Sequence, residues 1–221
     1  MTEQTWTDVD TYITSRIPHN DDALDQALRD SLSLPNIQVT APQGKLLHIL
    51  ATAIGARRVL EVGTLGGYSA IWMARALPRD GMLLTLEVEA EHARIAQNNF
   101  RNAGVDGVVE LRLGPALDTM RALIDAGEAP FDLVFIDADK PPVADYFDSA
   151  VRLSHPGSVI VVDNVVRDGR VIDGSTDDAS VRGNRRLVDA LGSDDRVTAT
   201  VIQTVGGKGY DGFAIAVVSG G

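Results

Sequence analysis

From residue 57 onward, short apolar runs alternate with longer stretches whose apolar positions recur every three or four residues. "RRVLEV" (57–62), "MLLTLEV" (82–88), "GVVELRL" (107–113), "FDLVFID" (131–137) and "GSVIVVDN" (157–164) read as buried strands. Residues 68–77, 90–104, about 115–126 and about 142–153 carry the helical period between them. Apolar strands alternating with amphipathic helices predict an α/β fold, a parallel sheet covered on both faces. The pattern then changes. Residues 165–180 are polar and rich in Gly and Asp, which predicts a long loop, and a helix is expected over about 180–191. Two final strands, 196–204 and 210–218, are joined by "VGGKG" and predict an antiparallel hairpin closing the sheet.

Ahead of this region the pattern is helical. Trp6, Val9, Ile13 and Ile17 recur at helical intervals. Asn20 or Asp21 can cap a second helix running to about Leu32, and Pro42 suits the first turn of a third that ends near Gly55. With no internal repeat, low-complexity tract or linker, the chain reads as one domain over 1–221, with helices over 1–55 and an α/β core over 56–221.

The 221 residues are 44% hydrophobic, enough for one sizeable core. No run of 18 apolar residues suggests a membrane span, and the polar start "MTEQTWTDVD" does not resemble a signal peptide. The absence of cysteine excludes disulfides and thiolate metal sites. A cytoplasmic protein fits these features. The net charge of −11, with no basic run longer than pairs such as Arg57-Arg58, argues against a nucleic-acid partner, which would need clustered cations. Lysine occurs only at 45, 140 and 208, so each position invites a question.

The first chemical motif is "LEVGTLGGYSA" (60–70), between the first core strand and its helix. Gly63, Gly66 and Gly67 permit a tight turn and close approach of a ligand to the backbone. The spacing matches neither the dinucleotide G-x-G-x-x-G pattern nor a P-loop, and a turn that simply requires glycine explains it equally well. The next strand adds to the picture by ending in Glu87, about 20 residues on, where a carboxylate can accept hydrogen bonds from two ribose hydroxyls. Together they suggest a nucleoside site that needs no phosphates, with adenine near "LGPAL" (113–117). Glu89 and Glu91 read as solvated charges favourable at a helix start.

The second motif is "FIDADK" (135–140), an apolar strand that stops in charge. Asp137 ends the fourth strand, while Asp163 and Asn164 end the fifth. If the fourth and fifth strands are neighbours, they lie about 4.8 Å apart and these side chains can converge. Two carboxylates and an amide oxygen are hard ligands suited to Mg²⁺, with Ca²⁺ or Mn²⁺ also acceptable. Each aspartate taken singly could instead cap the segment that follows it. Asp139 is left outside the ligand set, and Lys140 is either a base or an ion-pair partner. His19, His48, His92 and His155 form no metal-spacing motif. Trp72 and Met73 read as core, Lys45 as solvated, and Lys208 and Tyr210 as the border of an acceptor pocket or subunit interface.

In this order, "TAPQGKLLHIL", "VLEVGTLGGYSA", "TLEVEAEHARIAQNNF", "FDLVFIDADK", "VIVVDNV" and "GYDGFAIAV" resemble the cation-dependent O-methyltransferases, the class of the catechol and caffeoyl-coenzyme A enzymes. The resemblance spans nearly the whole chain. It implies a Rossmann-like, doubly wound, seven-stranded and mostly parallel sheet with an antiparallel last strand, extra N-terminal helices covering the site, and a homodimer. It implies S-adenosylmethionine, with Glu61, Gly63, Thr64, Tyr68 and Ser69 around its amino-acid end, Glu87 and Val88 at the ribose, Ala116 at the adenine and Asp137 touching the amino group. It also implies a divalent cation on Asp137, Asp163 and Asn164, Lys140 as catalytic base, and a small catechol-like or hydroxycinnamoyl-like phenol as acceptor. Ala138-Asp139 stands where animal catechol enzymes have His-Trp, so this loop is closer to the bacterial and plant branches. An NAD-binding oxidoreductase would explain the glycines and Glu87 but leave the acidic set unused. A non-catalytic cofactor-binding member is the other alternative.

Overall fold

The computed structural model describes residues 2–17 and 20–220; positions 1, 18, 19 and 221, His19 among them, lie outside the described residues. Seven strands form one sheet: β1 (Arg58–Val62), β2 (Met82–Glu87), β3 (Val109–Leu113), β4 (Phe131–Ile136), β5 (Ser154–Val162), β6 (Val197–Gly206) and β7 (Gly209–Val218). Their order is β3-β2-β1-β4-β5-β7-β6, so strand order reverses beyond β1. β1, β2 and β3 are parallel, and β7 runs against both β5 and β6. This is the doubly wound, mostly parallel sheet with a reversed last strand that the resemblance implies.

The helices are α1 (Glu3–Arg16), α2 (Asp22–Asp30), α3 (Ala41–Ala53), α4 (Tyr68–Ala74), α5 (Ala90–Asn102), α6 (Ala116–Asp125), α7 (Val143–Arg152) and α8 (Ala179–Ser193). The starts of α2, α3 and α8 follow ordinary capping chemistry. Asp21 accepts from Leu24 N, Thr40 from Gln43 N ahead of Pro42, and Asp178 from Ser180 N and Val181 N. No helix among the described residues is long and apolar enough to cross a membrane.

The described residues form two compact units, with the division falling inside β4: 20–133 in one, 2–17 and 134–220 in the other. In the first, Leu60, Ile71, Met73, Leu84 and Met120 are fully buried. Removing such side chains from water is worth roughly 1.5–3 kcal/mol each. In the second, Phe135, Phe147, Ile160 and Leu187 play the same part.

Four details depart from the sequence pattern. β5 begins three residues early, in the polar "SHP" that carries no strand signal. The C-terminal strands extend until only Gly207-Lys208 remain between Gly206 and Gly209, because Gly209 adopts φ 97°, open to glycine. The loop after β5 contains a 3-10 turn, Arg170–Ile172. Finally, α1 buries none of its residues: Val9 and Ile13 are exposed, as is Ile17 just past its end. Its anchor is polar, with Gly207 N donating to Asp10 Oδ2 at 2.7 Å.

Candidate active site

In the first unit the glycine turn is held by buried carboxylates. Glu61, in β1, is fully buried; Ser69 Oγ donates to its Oε1 at 2.5 Å and Thr85 Oγ1 to its Oε2 at 2.6 Å. The Thr64 hydroxyl bonds that of Thr85 at 2.5 Å. Glu61, Thr64 and Ser69 thus belong to one network that ties β1, β2 and the start of α4 together. Gly63 and Gly67 have φ of 96° and 80°, where a side chain is costly. A Cβ at Gly66 would overlap Ser31, and one at Gly67 would overlap Phe100. Asn99 Nδ2 donates to Gly66 O at 2.8 Å. The Tyr68 hydroxyl donates to Asn20 Oδ1 at 2.5 Å, and burial raises its pKa.

Glu87 ends β2 and is buried. Its Oε2 accepts from Thr64 N at 3.2 Å and Leu65 N at 2.8 Å; its Oε1 accepts from Val88 N at 2.8 Å and Glu89 N at 2.9 Å. One carboxylate therefore joins two βα loops. His92 Nδ1 lies 3.6 Å from Oε1, a neighbour that the sequence pattern does not reveal. Val88 and Leu113 are 60% and 56% exposed. Leu113 pairs with Glu87 in register, and Ala116 opens α6 three positions later.

The second unit gathers the acidic motif. Asp163 N donates to Ile136 O at 2.9 Å, which sets the end of β5 beside the end of β4. Asp163 is buried, and its Oδ1 accepts from Asn164 N at 2.9 Å. Asn164 takes the left-handed φ of 55° that non-glycine residues rarely adopt. Lys140 is buried, with Nζ 3.3 Å from Asp137 Oδ1. Asp139 serves another purpose: it accepts from the Tyr146 hydroxyl at 2.7 Å, and burial together with this carboxylate raises the tyrosine pKa.

Lys208, in the hairpin turn, remains accessible, yet partial desolvation lowers its pKa while Asp137 and Asp163 together oppose that fall. Both carboxylates thus act on one cation. The segment after Asn164 is laced to β7: Val165 N donates to Gly212 O at 3.0 Å, and Val166 N and Arg167 N both donate to Asp211 Oδ1 at 2.9 Å. No group of three or more His, Asp or Glu forms a metal cage among the described residues. Asp137, Asp163 and Asn164 carry two carboxylates and an amide oxygen, hard donors of the kind that could hold Mg²⁺ with water or substrate oxygens completing its shell.

The remaining candidates stay apart from this chemistry. Trp72 and Met73 are core, and His48 Nδ1 bonds Trp72 O at 3.0 Å. His155 bonds Pro156 O at 2.8 Å.

A doubly wound sheet of this order, with a glycine turn after β1 and an acid ending β2, has the build of the Rossmann-like nucleoside-cofactor proteins. Comparison with known proteins makes the assignment specific. The family model described as O-methyltransferase matches residues 20–213. A catechol O-methyltransferase of Niastella koreensis is 48% identical over 99% of this chain and 100% of its own length. A catechol O-methyltransferase of Mycobacterium tuberculosis is 50% identical over 96% of this chain and 95% of its own. The crystal structure of the O-methyltransferase TomG of Streptomyces achromogenes, in complex with SAM, superposes with a TM-score of 0.95 at 50% identity, covering 100% of each chain. The chain belongs to the O-methyltransferase family, a class of S-adenosylmethionine-dependent enzymes.

Proposed function

We propose that this enzyme transfers the methyl group of S-adenosylmethionine to a hydroxyl of a small phenolic acceptor, catechol-like or hydroxycinnamoyl-like, with a divalent cation assisting. The observation that carries the reading is the chemistry gathered at the ends of β4 and β5: Asp163 N donates to Ile136 O, and the buried Lys140 Nζ lies 3.3 Å from Asp137 Oδ1. An oxidoreductase has no use for that set, and family membership argues against it. The relatives named catechol O-methyltransferase support the acceptor class.

The residues of the first unit fit the cofactor. Exposed Val88 and Leu113 flank Glu87, and a flat adenine laid there would remove apolar surface from water. Glu87 would take the ribose hydroxyls on carboxylate oxygens that it shares with its amide donors. Gly63, Thr64 and the Glu61–Ser69 pair would border the amino-acid end, with Tyr68 held behind them by Asn20.

The bound sulfonium supplies an electrophilic methyl, and a bound cation would lower the pKa of a phenol that otherwise titrates near 10. Asp137, Asp163 and Asn164 would hold that cation, Mg²⁺ first, with Ca²⁺ or Mn²⁺ as substitutes. Lys140 would accept the phenolic proton at Nζ, and Asp137 would hold that amine in place. Fixing the acceptor oxygen in line with the methyl provides much of the remaining acceleration.

The same reading makes the protein cytoplasmic and homodimeric, with the exposed Val9 and Ile13 of α1 and the adjoining Ile17 as surface for a second copy. Methyl transfer from labelled S-adenosylmethionine to a panel of vicinal diphenols tests the whole. Transfer abolished by EDTA and restored by Mg²⁺ is expected. EDTA-resistant transfer would reduce the acidic set to a structural role.

A further inference from the structure

Helix α8 contributes no residue to the sites described above, yet one turn of it touches both acidic loops. Asn184 is fully buried, and its Nδ2 donates to Asn164 O at 2.7 Å. Its Oδ1 is buried without a hydrogen-bond partner. The preceding residue, Gly183, packs so closely on the Lys140 carbonyl that a Cβ there would overlap it. Two positions further on, the Arg186 guanidinium donates to Pro141 O. The loop carrying Asp137 and Lys140, and the loop carrying Asp163 and Asn164, are thus gripped by three residues of one helix turn, Gly183, Asn184 and Arg186.

The cost of this arrangement argues for its purpose. A buried amide with one end unpaired is unfavourable. An apolar residue of similar volume would avoid it. What the amide accomplishes is local: it holds the carbonyl of a residue that itself stands at φ 55°, a conformation that persists only when surroundings enforce it. We propose that Asn184 is a positioning residue for the reaction, fixing the Asn164 backbone so that Asp163 and Asn164 keep their geometry toward a cation, while Gly183 seats the Lys140 loop on the same helix turn. The proposal rests on the reading of Asp137, Asp163 and Asn164 as a cation site.

The test uses the full-length protein and Mn²⁺ as probe, with affinity read by electron paramagnetic resonance. Wild-type binding comes first: absence of Mn²⁺ binding would remove the underlying site and this proposal with it. N184A and N184L are then compared, the second filling the volume with a side chain of similar shape. Outer-shell partners of metal ligands typically contribute 10–100-fold to affinity or activity. Both variants are expected to bind Mn²⁺ about tenfold more weakly and to lose about tenfold in kcat. Affinity for S-adenosylhomocysteine should stay within about twofold, because Asn184 acts on the other loops. Folded variants with wild-type Mn²⁺ affinity and kcat overturn the proposal. So does failure of both to fold, which would make Asn184 a residue of the core alone.

Discussion

Leu65 stands at φ 49° with its amide donating to Glu87 Oε2 at 2.8 Å. A strained turn and a strand-end carboxylate therefore depend on each other, and Thr64, Val88 and Glu89 amides complete the set. Glutamine keeps the shape but offers one acceptor oxygen in place of two, leaving two of the four N–H groups unpaired. E87Q should lose about 2 kcal/mol of stability, the scale of hydrogen bonds to a charged group. Its affinity for S-adenosylhomocysteine, measured by calorimetry, should drop more than about tenfold. An unchanged affinity would separate Glu87 from the ribose and leave it a brace between loops.

Gly66 faces Ser31, whose Oγ donates to Ala27 O at 2.7 Å and stands where a Gly66 side chain would go. G66A must push the segment after α2 away from the turn. Overpacking of this kind costs about 1–3 kcal/mol. A lower melting temperature and weaker S-adenosylhomocysteine binding are expected, and S31G in the same chain should restore much of both. A double variant no better than G66A alone would show that Ser31 is not the obstacle.

The strands were legible because their apolar runs are local signals, and Glu87, Asp137 and Asp163 were legible because each ends such a run. The bond from Asp163 N to Ile136 O supplies the adjacency of β4 and β5 on which the reading of these acids as a group was conditional. Residues whose meaning is set by distant packing left no such trace. Asn99, Asn184 and Tyr146 sit in ordinary amphipathic helices, and nothing in spacing announces that they reach Gly66, Asn164 and Asp139. The stripe of α1 shows the opposite failure. Trp6, Val9, Ile13 and Ile17 keep helical period, but period cannot say what covers a face, and the helix is instead held through Asp10.

Lys140 is one of three lysines, is buried, and lies 3.3 Å from Asp137 Oδ1. Methionine matches its length and apolar stem without the amine. If Lys140 moves the phenolic proton, K140M should lower kcat by about 10²–10⁴, the usual contribution of a general base. The Kd for S-adenosylhomocysteine should stay within about twofold, since Glu87 and the glycine turn are untouched. Near-normal turnover would leave Lys140 as an ion-pair partner.

Acid should loosen α8 from its first turn. Asp178 caps that helix, accepting from Val181 N at 3.3 Å and Ser180 N at 2.8 Å, and these bonds hold its pKa below the ordinary carboxylate value. A depressed folded pKa means that the stabilisation is fully present above the unfolded value, ~3.9, and disappears as pH falls through the lower folded one. Asparagine caps helices about as well but does not titrate. Wild type should therefore lose more stability than D178N between pH 7 and pH 3, with the two melting curves converging at the acid end. Hydrogen-exchange protection at Ser180 and Val181, taken relative to the intrinsic rate at each pH, should fall in wild type over the same range and change less in the variant. Parallel acid limbs for the two proteins would assign the loss to other carboxylates.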